Sequence, residues 1–217
     1  MTQLPDFDAV YGGAPLLPGS ATAPWDIGGP QPVLADLLGE MRSPVLDAGC
    51  GIGETSLALA ALGREVVGID RSPTAIDRAR ATARQRGLAV EFTVADATDF
   101  GGRDGQFATV VDSSLFHSLP VEGRGDYLRC IARAARPGAR LYVSVFDAAA
   151  PFPRAVRPNA VSEPELRAAV GEFWQVDSVE PAGILARIPA TVDDGVQVNE
   201  RGFAVYPSFL LRAHRPD

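Results

Sequence analysis

Val45-Leu46-Asp47-Ala48-Gly49-Cys50-Gly51-Ile52-Gly53-Glu54-Thr55 is the stretch on which the fold turns. An apolar run of strand character meets an acid and passes through a turn with glycine at every second position. It then opens into Glu54-Thr55-Ser56-Leu57-Ala58-Leu59-Ala60, where Leu and Ala read as the buried side of a helix and Gly63 as its stop. Strand, glycine turn and helix in that order place backbone amides and a helix N-terminus against a ligand, and a turn without Cβ atoms lets that ligand come close.

The ligand is not a dinucleotide. A G-x-G-x-x-G fingerprint counted from Gly49 needs glycine where Glu54 stands, and counted from Gly51 it needs glycine where Ser56 stands. Glu54 would also repel a pyrophosphate from the very helix end that ordinarily attracts it.

Outward from the turn, Glu65-Val66-Val67-Gly68-Ile69-Asp70 reads as a second strand ending in an acid, at the distance where a carboxylate accepts hydrogen bonds from both ribose hydroxyls. A third strand, Val90 to Ala95, ends in Asp96-Ala97, and a fourth, Phe107 to Val111, in Asp112-Ser113-Ser114. Each strand delivers a polar residue at its carboxyl end, where open α/β sheets bind their ligands.

With these four strand ends in this order, the chain resembles the class I S-adenosylmethionine-dependent methyltransferases over nearly its whole length. The resemblance implies an α/β, Rossmann-like, doubly wound sheet of seven strands, mostly parallel with the last antiparallel, in three layers. It implies that Asp47, Gly49, Cys50, Gly51 and Gly53 hold the methionine part of the cofactor, that Asp70 holds its ribose with Arg71 beside the adenine, and that Asp96 and the Ala97 amide meet the adenine amino group. Asp112, Ser113 and the residues to His117 would approach the methionine tail and the methyl acceptor.

A closer likeness is to actinobacterial small-molecule enzymes of the thiopurine, benzoquinone and heterocyclic-toxin type. It rests on Pro24-Trp25-Asp26-Ile27-Gly28, Asp112-Ser113-Ser114-Leu115-Phe116-His117-Ser118-Leu119 and Arg136-Pro137-Gly138. The Asn/Asp-Pro-Pro-aromatic motif of the exocyclic-amine enzymes is absent, since Ser113-Ser114 follow Asp112, and no acid and amide set for a magnesium ion is evident.

Composition fits one enzyme domain spanning 1–217, since 217 residues bury a single substantial core. A net charge of -7 counts against a nucleic-acid or anionic-membrane partner, both of which select a basic face. Arg78-Ala79-Arg80 and Arg84-Gln85-Arg86 read as the solvated face of an Ala-rich helix. Cys50 and Cys130 form no metal-spacing pattern, and neither a secretory leader nor a bilayer-length apolar run is visible, so the expected location is the cytoplasm.

Three accessory pieces surround the core. Residues 1–30 carry five prolines with Phe7, Tyr11, Leu16, Leu17 and Trp25, too apolar for a solvated tail and without helix or strand periodicity; they read as a lid. Pro32 to Met41 reads as a helix before the first strand. After a fifth strand, Arg140 to Phe146, a proline-rich loop with Phe152 leads to a capping box at Ser162-Glu163-Pro164-Glu165. A sixth strand near Trp174 to Val179 and a seventh over Phe203 to Arg212 complete the sheet.

A sulfonium cofactor brings its own leaving group, so the protein has to bind it, align an acceptor lone pair and exclude water. His117 is the one histidine near the fourth strand end, a candidate general base for a protic acceptor or else part of the pocket wall. Trp25 is divided between cofactor lid and packing anchor, Tyr11 leans to packing, and Cys50 suits the turn by its small size. The function that emerges is methyl transfer to a small aromatic or heterocyclic acceptor by a monomer or homodimer, without a metal, yielding S-adenosylhomocysteine. The alternatives are a macromolecular acceptor, which would call for a basic surface or an extra domain, and a non-catalytic cofactor-binding module.

Overall fold

The apolar runs on either side of the glycine turn become the middle of a sheet in the computed structural model, which describes residues 4–20, 22–152, 158–189 and 195–217. The strands are β1 (Val45–Ala48), β2 (Val66–Asp70), β3 (Glu91–Val94), β4 (Phe107–Ser113), β5 (Ala135–Phe146), β6 (Gln175–Ala186), β7 (Gln197–Val198) and β8 (Ala204–His214). They pair in the order β3-β2-β1-β4-β5-β8-β6, with β7 on β8. β1 to β5 run parallel and β8 is antiparallel to both β5 and β6.

Both faces of the sheet are covered, so neighbouring residues of one strand feed different cores. Leu46, Val67 and Val110 pack with Tyr127, Leu128 and Ile131 of α5 (Arg124–Ala134) and with Leu166 of α6 (Glu163–Gly171). Their chain neighbours Val45, Val66 and Val111 pack with Leu34 of α2 (Pro32–Ala35) and Leu59 of α3 (Glu54–Ala61). Beside α3, α4 (Pro73–Arg86) lays Ile76, Ala79 and Ala83 against Phe92. Ser72 caps its start, accepting from the Ala75 amide at 3.0 Å, and Gly87 ends it in the left-handed region.

Several element bounds differ from the sequence reading. The strand beyond the expected seven is β7, a short exposed pair that joins β8 at Val205 and Ala204, beyond the Phe146–Ser208 pair where β5 ends. The expected helix over Pro32 to Met41 is broken into α2 and a 3-10 turn at Leu38–Glu40, with Gly39 inside that turn. The segment read as lacking periodicity contains a helix, α1 (Phe7–Tyr11), capped by the Asp6 side chain on the Ala9 amide at 3.1 Å. β6 runs on to Ala186 through an irregularity between Val176 and Ser178, because β8 pairs with it along its whole length. The capping box forms at α6, where the Ser162 amide donates to Glu165 at 2.8 Å.

Candidate functional site

The register aligns the carboxyl ends of the central strands, with Ala48 beside both Ile69 and Asp112. The glycine turn, Asp70 and the loop after β4 therefore border one crevice. At the turn, Gly51 has φ +53° and a Cβ there would stand 2.5 Å from the Tyr11 hydroxyl, so a side chain is excluded on both counts. Gly49, at φ +70°, is closed to a Cβ by Leu115 of the β4 loop at 2.8 Å. Gly53 is the N-cap of α3 in the left-handed region. Cys50 donates its amide to the Ile69 carbonyl at 2.9 Å, and burial pushes its thiol well above the ordinary value, so it is no nucleophile as placed.

Asp47 lies under the turn. One oxygen accepts from the Ser56 hydroxyl at 2.6 Å, while the other is buried without a partner. Burial raises this carboxyl to about 6, against the pull of Ser56. Asp70 accepts the Gly51 amide on one oxygen and the Ser72 amide on the other, both at 2.9 Å, leaving lone pairs on each side. Burial raises its carboxyl too.

Neither Asp47, Asp70 nor Asp112 has an ion-pair partner among the described residues. Asp47 and Asp70 thus leave the glycine-turn side of the crevice without a compensating cation, a field that suits a ligand with net positive charge and disfavours a pyrophosphate. S-adenosylmethionine, with an ammonium and a sulfonium against one carboxylate, fits that field, and the buried Asp47 oxygen without a partner is an acceptor still open to a donor.

Arg71 is exposed next to Asp70. Asp96 is exposed and accepts from the Thr98 amide at 2.9 Å and the Thr98 hydroxyl at 2.7 Å, while Ala97 is buried beneath it. Asp70, Arg71, Asp96 and Ala97 thus gather at the neighbouring β2 and β3 ends.

The N-terminal segment crosses this crevice from one flank to the other. Asp8 accepts the Ser72 hydroxyl at 2.5 Å and the Thr74 amide at 3.0 Å at the start of α4, and these donors hold its carboxyl below the usual range. Arg78 of α4 donates to the Tyr11 carbonyl at 3.1 Å and stands 3.9 Å from Asp26. Trp25 donates its indole N–H to the Tyr11 hydroxyl at 3.0 Å, with Phe7 packed on its other side. On the far flank Gln31 bonds both ways to the backbone of Leu185, at 2.8 and 3.0 Å, and the Pro24 carbonyl accepts from Arg187. A cavity of about 480 Å³ opens there between Thr22, Asp26 and Gly28 and the Arg187–Ile188 end of the sheet.

Past β4, Asp112 is fully buried with both oxygens engaged. Oδ1 accepts the Leu115 amide at 2.7 Å, and Oδ2 accepts the Phe116 amide at 3.1 Å and the Tyr127 hydroxyl at 2.8 Å. It turns toward α5, the face opposite to that of Asp47. Asp112, expected at the cofactor, is 0% exposed, and its side chain shapes the loop through these three donors. Ser113 is half-buried, and Ser114 adopts φ +78° to start the turn.

His117 is 3% exposed, and its Nδ1 accepts the backbone N–H of Phe146 at 3.2 Å. An imidazole nitrogen that accepts carries no proton, so the neutral ring holds its proton on Nε2. Burial, and the nearby Arg124 cation, push its pKa down to about 3. The general-base reading is corrected by this geometry: the lone pair a base would use is already taken. The ring lies 4.3 Å from that of Phe146, which meets Phe152 at 5.0 Å and Tyr206 at 5.7 Å, and Phe152 stacks on Tyr206 at 7°. Arg124, Phe146 and Tyr206 were not legible as site residues, and Tyr11 was read as leaning to packing. Only the strand pairing brings Tyr206 to Phe146, and the Asp6 cap was the one sequence signal for the helix that carries Tyr11.

Residues 45–138 match a methyltransferase domain family model. The 2-heptyl-1-hydroxyquinolin-4(1H)-one methyltransferase of Mycobacteroides abscessus is 44% identical over 218 aligned positions, covering 96% of each chain. A solved structure from work on the conversion of a disulfide bond into a thioacetal group during echinomycin biosynthesis superposes with TM-score 0.81 at 35% identity, covering 97% of this chain and 92% of that one. The fold also matches Burkholderia thailandensis 1,6-didemethyltoxoflavin-N1-methyltransferase, solved with its substrate and S-adenosylhomocysteine, with TM-score 0.62 at 22% identity over 85% of this chain and 76% of that one.

Proposed function

Because the chain belongs to the S-adenosylmethionine-dependent methyltransferases, we propose that it transfers the methyl group to an oxygen or nitrogen of a small, flat aromatic or heterocyclic acceptor. The observation that supports the reading is the aromatic group of His117, Phe146, Phe152 and Tyr206, gathered past the carboxyl ends of β4 and β5 and at the neighbouring stretch of β8. Such rings bind a planar acceptor by stacking and exclude water from the transfer. The relatedness to a hydroxyquinolone methyltransferase along nearly all of both chains favours the same acceptor class.

In this reading Asp47 and the turn amides hold the methionine end and Asp70 the ribose. Arg71, Asp96 and Ala97 line the adenine side, and Ser113 with the β4 loop lies between cofactor and acceptor. Bound S-adenosylmethionine supplies an electrophilic methyl group, and the protein supplies alignment and dryness. Residues 1–30 act as the lid, latched by Asp8 to α4 and by Gln31 to β6.

The acidic charge favours a small-molecule partner over nucleic acid, in a cytoplasmic monomer or homodimer. No helix among the described residues is long and apolar enough to cross a membrane. Incubation with methyl-labelled cofactor and a panel of hydroxyquinolones, phenols, quinols and thiols tests the proposal. Label is expected on hydroxylated heteroaromatics, and label on thiols alone would refute the acceptor class.

A further inference from the structure

At the amino ends of the parallel strands, away from the glycine turn, this acidic chain gathers positive charge. Arg42 of the connection into β1, Arg140 of β5 and Arg212 of β8 line a cavity of about 200 Å³ together with Glu40 and Tyr142. Strand pairing builds it. Tyr142 stands opposite Arg212 and Arg140 opposite His214 across β5 and β8, and Arg140 lies beside Thr109 of β4. Thr109 ties Arg42 in place, its hydroxyl oxygen accepting the Arg42 amide at 3.0 Å and donating to the Arg42 carbonyl at 2.9 Å. Burial and Glu40 raise the Tyr142 hydroxyl above its ordinary value while Arg140, Arg212 and Arg42 pull it down, so three cations act on one hydroxyl. Their own compensation is incomplete. Arg140 pairs with Asp177 at 3.0 Å, and that carboxylate also takes His214 at 2.7 Å. Arg42 and Arg212 have no carboxylate within ion-pair distance among the described residues, the exposed Glu40 included. The Nε of Arg212 is buried with no hydrogen-bond partner, a donor that costs stability until an acceptor meets it.

We propose that this pocket is a second binding site, for a small tetrahedral oxyanion, inorganic phosphate or a phosphate monoester, held by the guanidinium groups of Arg42, Arg140 and Arg212 with the Tyr142 hydroxyl as a further donor. Each planar guanidinium can offer an oxyanion two parallel N–H bonds, and three of them converge from three separate segments. Against the carboxylates of Glu40 and Asp177 they leave at least one positive charge for the ligand to neutralise. The cavity is smaller than the ~300–1,000 Å³ of pockets that enclose drug-sized molecules, so the ligand is compact. A nucleic acid is disfavoured both by that size and by the net charge of -7 on the chain. The site is independent of methyl transfer, because its residues do not border the glycine turn. An anion bound there joins the connection into β1 to the β5 and β8 strands and stabilises the folded chain by mass action.

Calorimetry of the full chain with inorganic phosphate and, separately, with glycerol 1-phosphate, at constant ionic strength in chloride, tests the site. One anion per chain is expected, with an affinity that falls about tenfold or more in Arg212→Gln and in Arg42→Gln, each of which removes a charged donor. S-adenosylhomocysteine is expected to bind both variants as it binds wild type. Arg42→Gln changes an exposed side chain outside the strands, so it keeps the test decisive if Arg212→Gln does not fold. Tighter binding of glycerol 1-phosphate supports the site with a monoester as its occupant, and tighter binding of phosphate supports it with the free ion. No heat beyond dilution from either anion, or equal affinity in wild type and in Arg42→Gln, would overturn the proposal and leave the methyl-transfer reading standing. Acetate binding as tightly as phosphate would overturn it as well, since a site built for a tetrahedral oxyanion on three guanidinium groups discriminates against a single carboxylate.

Discussion

Nδ1 of His117 and the backbone N–H of Phe146 meet across 3.2 Å, and this contact fixes both the orientation and the protonation of the imidazole beside the proposed acceptor. It ties the loop after β4 to the end of β5. Burial and the Arg124 cation push His117 down to about 3, below the ~6.5 of an unfolded chain. Between those values the unfolded state takes up a proton that the folded state refuses. The contribution of this group to stability is therefore complete above about pH 6.5 and declines as pH falls toward 3. Urea unfolding of wild type and His117→Gln is expected to show their stability difference narrowing from about pH 7 to about pH 4.5. Asp47 and Asp112, whose carboxyls burial raises to about 6 and about 7, act in the opposite direction but are common to both proteins. A difference independent of pH would mean that His117 has the same pKa folded and unfolded.

Tyr127 donates to Asp112 in the core, so Tyr127→Phe removes one of the donors that hold a buried carboxylate. The expected cost is ~1–3 kcal/mol of unfolding free energy, with cofactor affinity nearly unchanged. Equal stability in chemical denaturation would show that Leu115 and Phe116 suffice to hold Asp112.

At Asp70 the cost falls on binding. Asp70→Ala is expected to weaken S-adenosylmethionine and S-adenosylhomocysteine alike by ~1–3 kcal/mol in calorimetry, the loss of a charged acceptor. An unchanged Kd would remove Asp70 from the ribose site.

Gly51→Ala forces a side chain into the left-handed region and against the Tyr11 hydroxyl. The backbone alone costs ~1–2 kcal/mol, and the collision adds to it. Tyr11→Phe in the Gly51→Ala background is expected to recover part of the lost cofactor affinity, since it deletes the obstructing oxygen. No recovery would place the damage in the turn itself.

The strap is tested through its latch. Asp8→Ala frees Ser72 and Thr74 at the start of α4 while leaving Gln31 on the other flank. Faster hydrogen exchange over residues 7–28 in the cofactor-bound protein, together with a raised acceptor KM, is the expected result. Exchange equal to wild type would show that Asp8 does not hold the segment.

The strand ends were legible in the sequence because doubly covered parallel strands read as unbroken apolar runs, and each ran into an acid or a glycine. Asp47, Asp70 and Asp96 were placed at or next to their strand ends that way. The role of Asp112 was not, since strand alternation sends Asp47 toward Ser56 and Asp112 toward Tyr127, and only the pairing shows which face each meets. His117 was visible as the lone histidine near the site, but its tautomer depends on an amide 29 residues away. α1 escaped the periodicity reading because five residues are too few to show a period.

Methyl transfer itself is the central claim, and mass spectrometry of a single-turnover reaction tests it most directly. Protein, S-adenosylmethionine with a labelled methyl group and 2-heptyl-1-hydroxyquinolin-4(1H)-one are mixed near pH 7. The account predicts one labelled methyl on the hydroxyl oxygen of the acceptor and one equivalent of S-adenosylhomocysteine. Folded protein that binds both molecules in calorimetry yet leaves the label on the cofactor would contradict it.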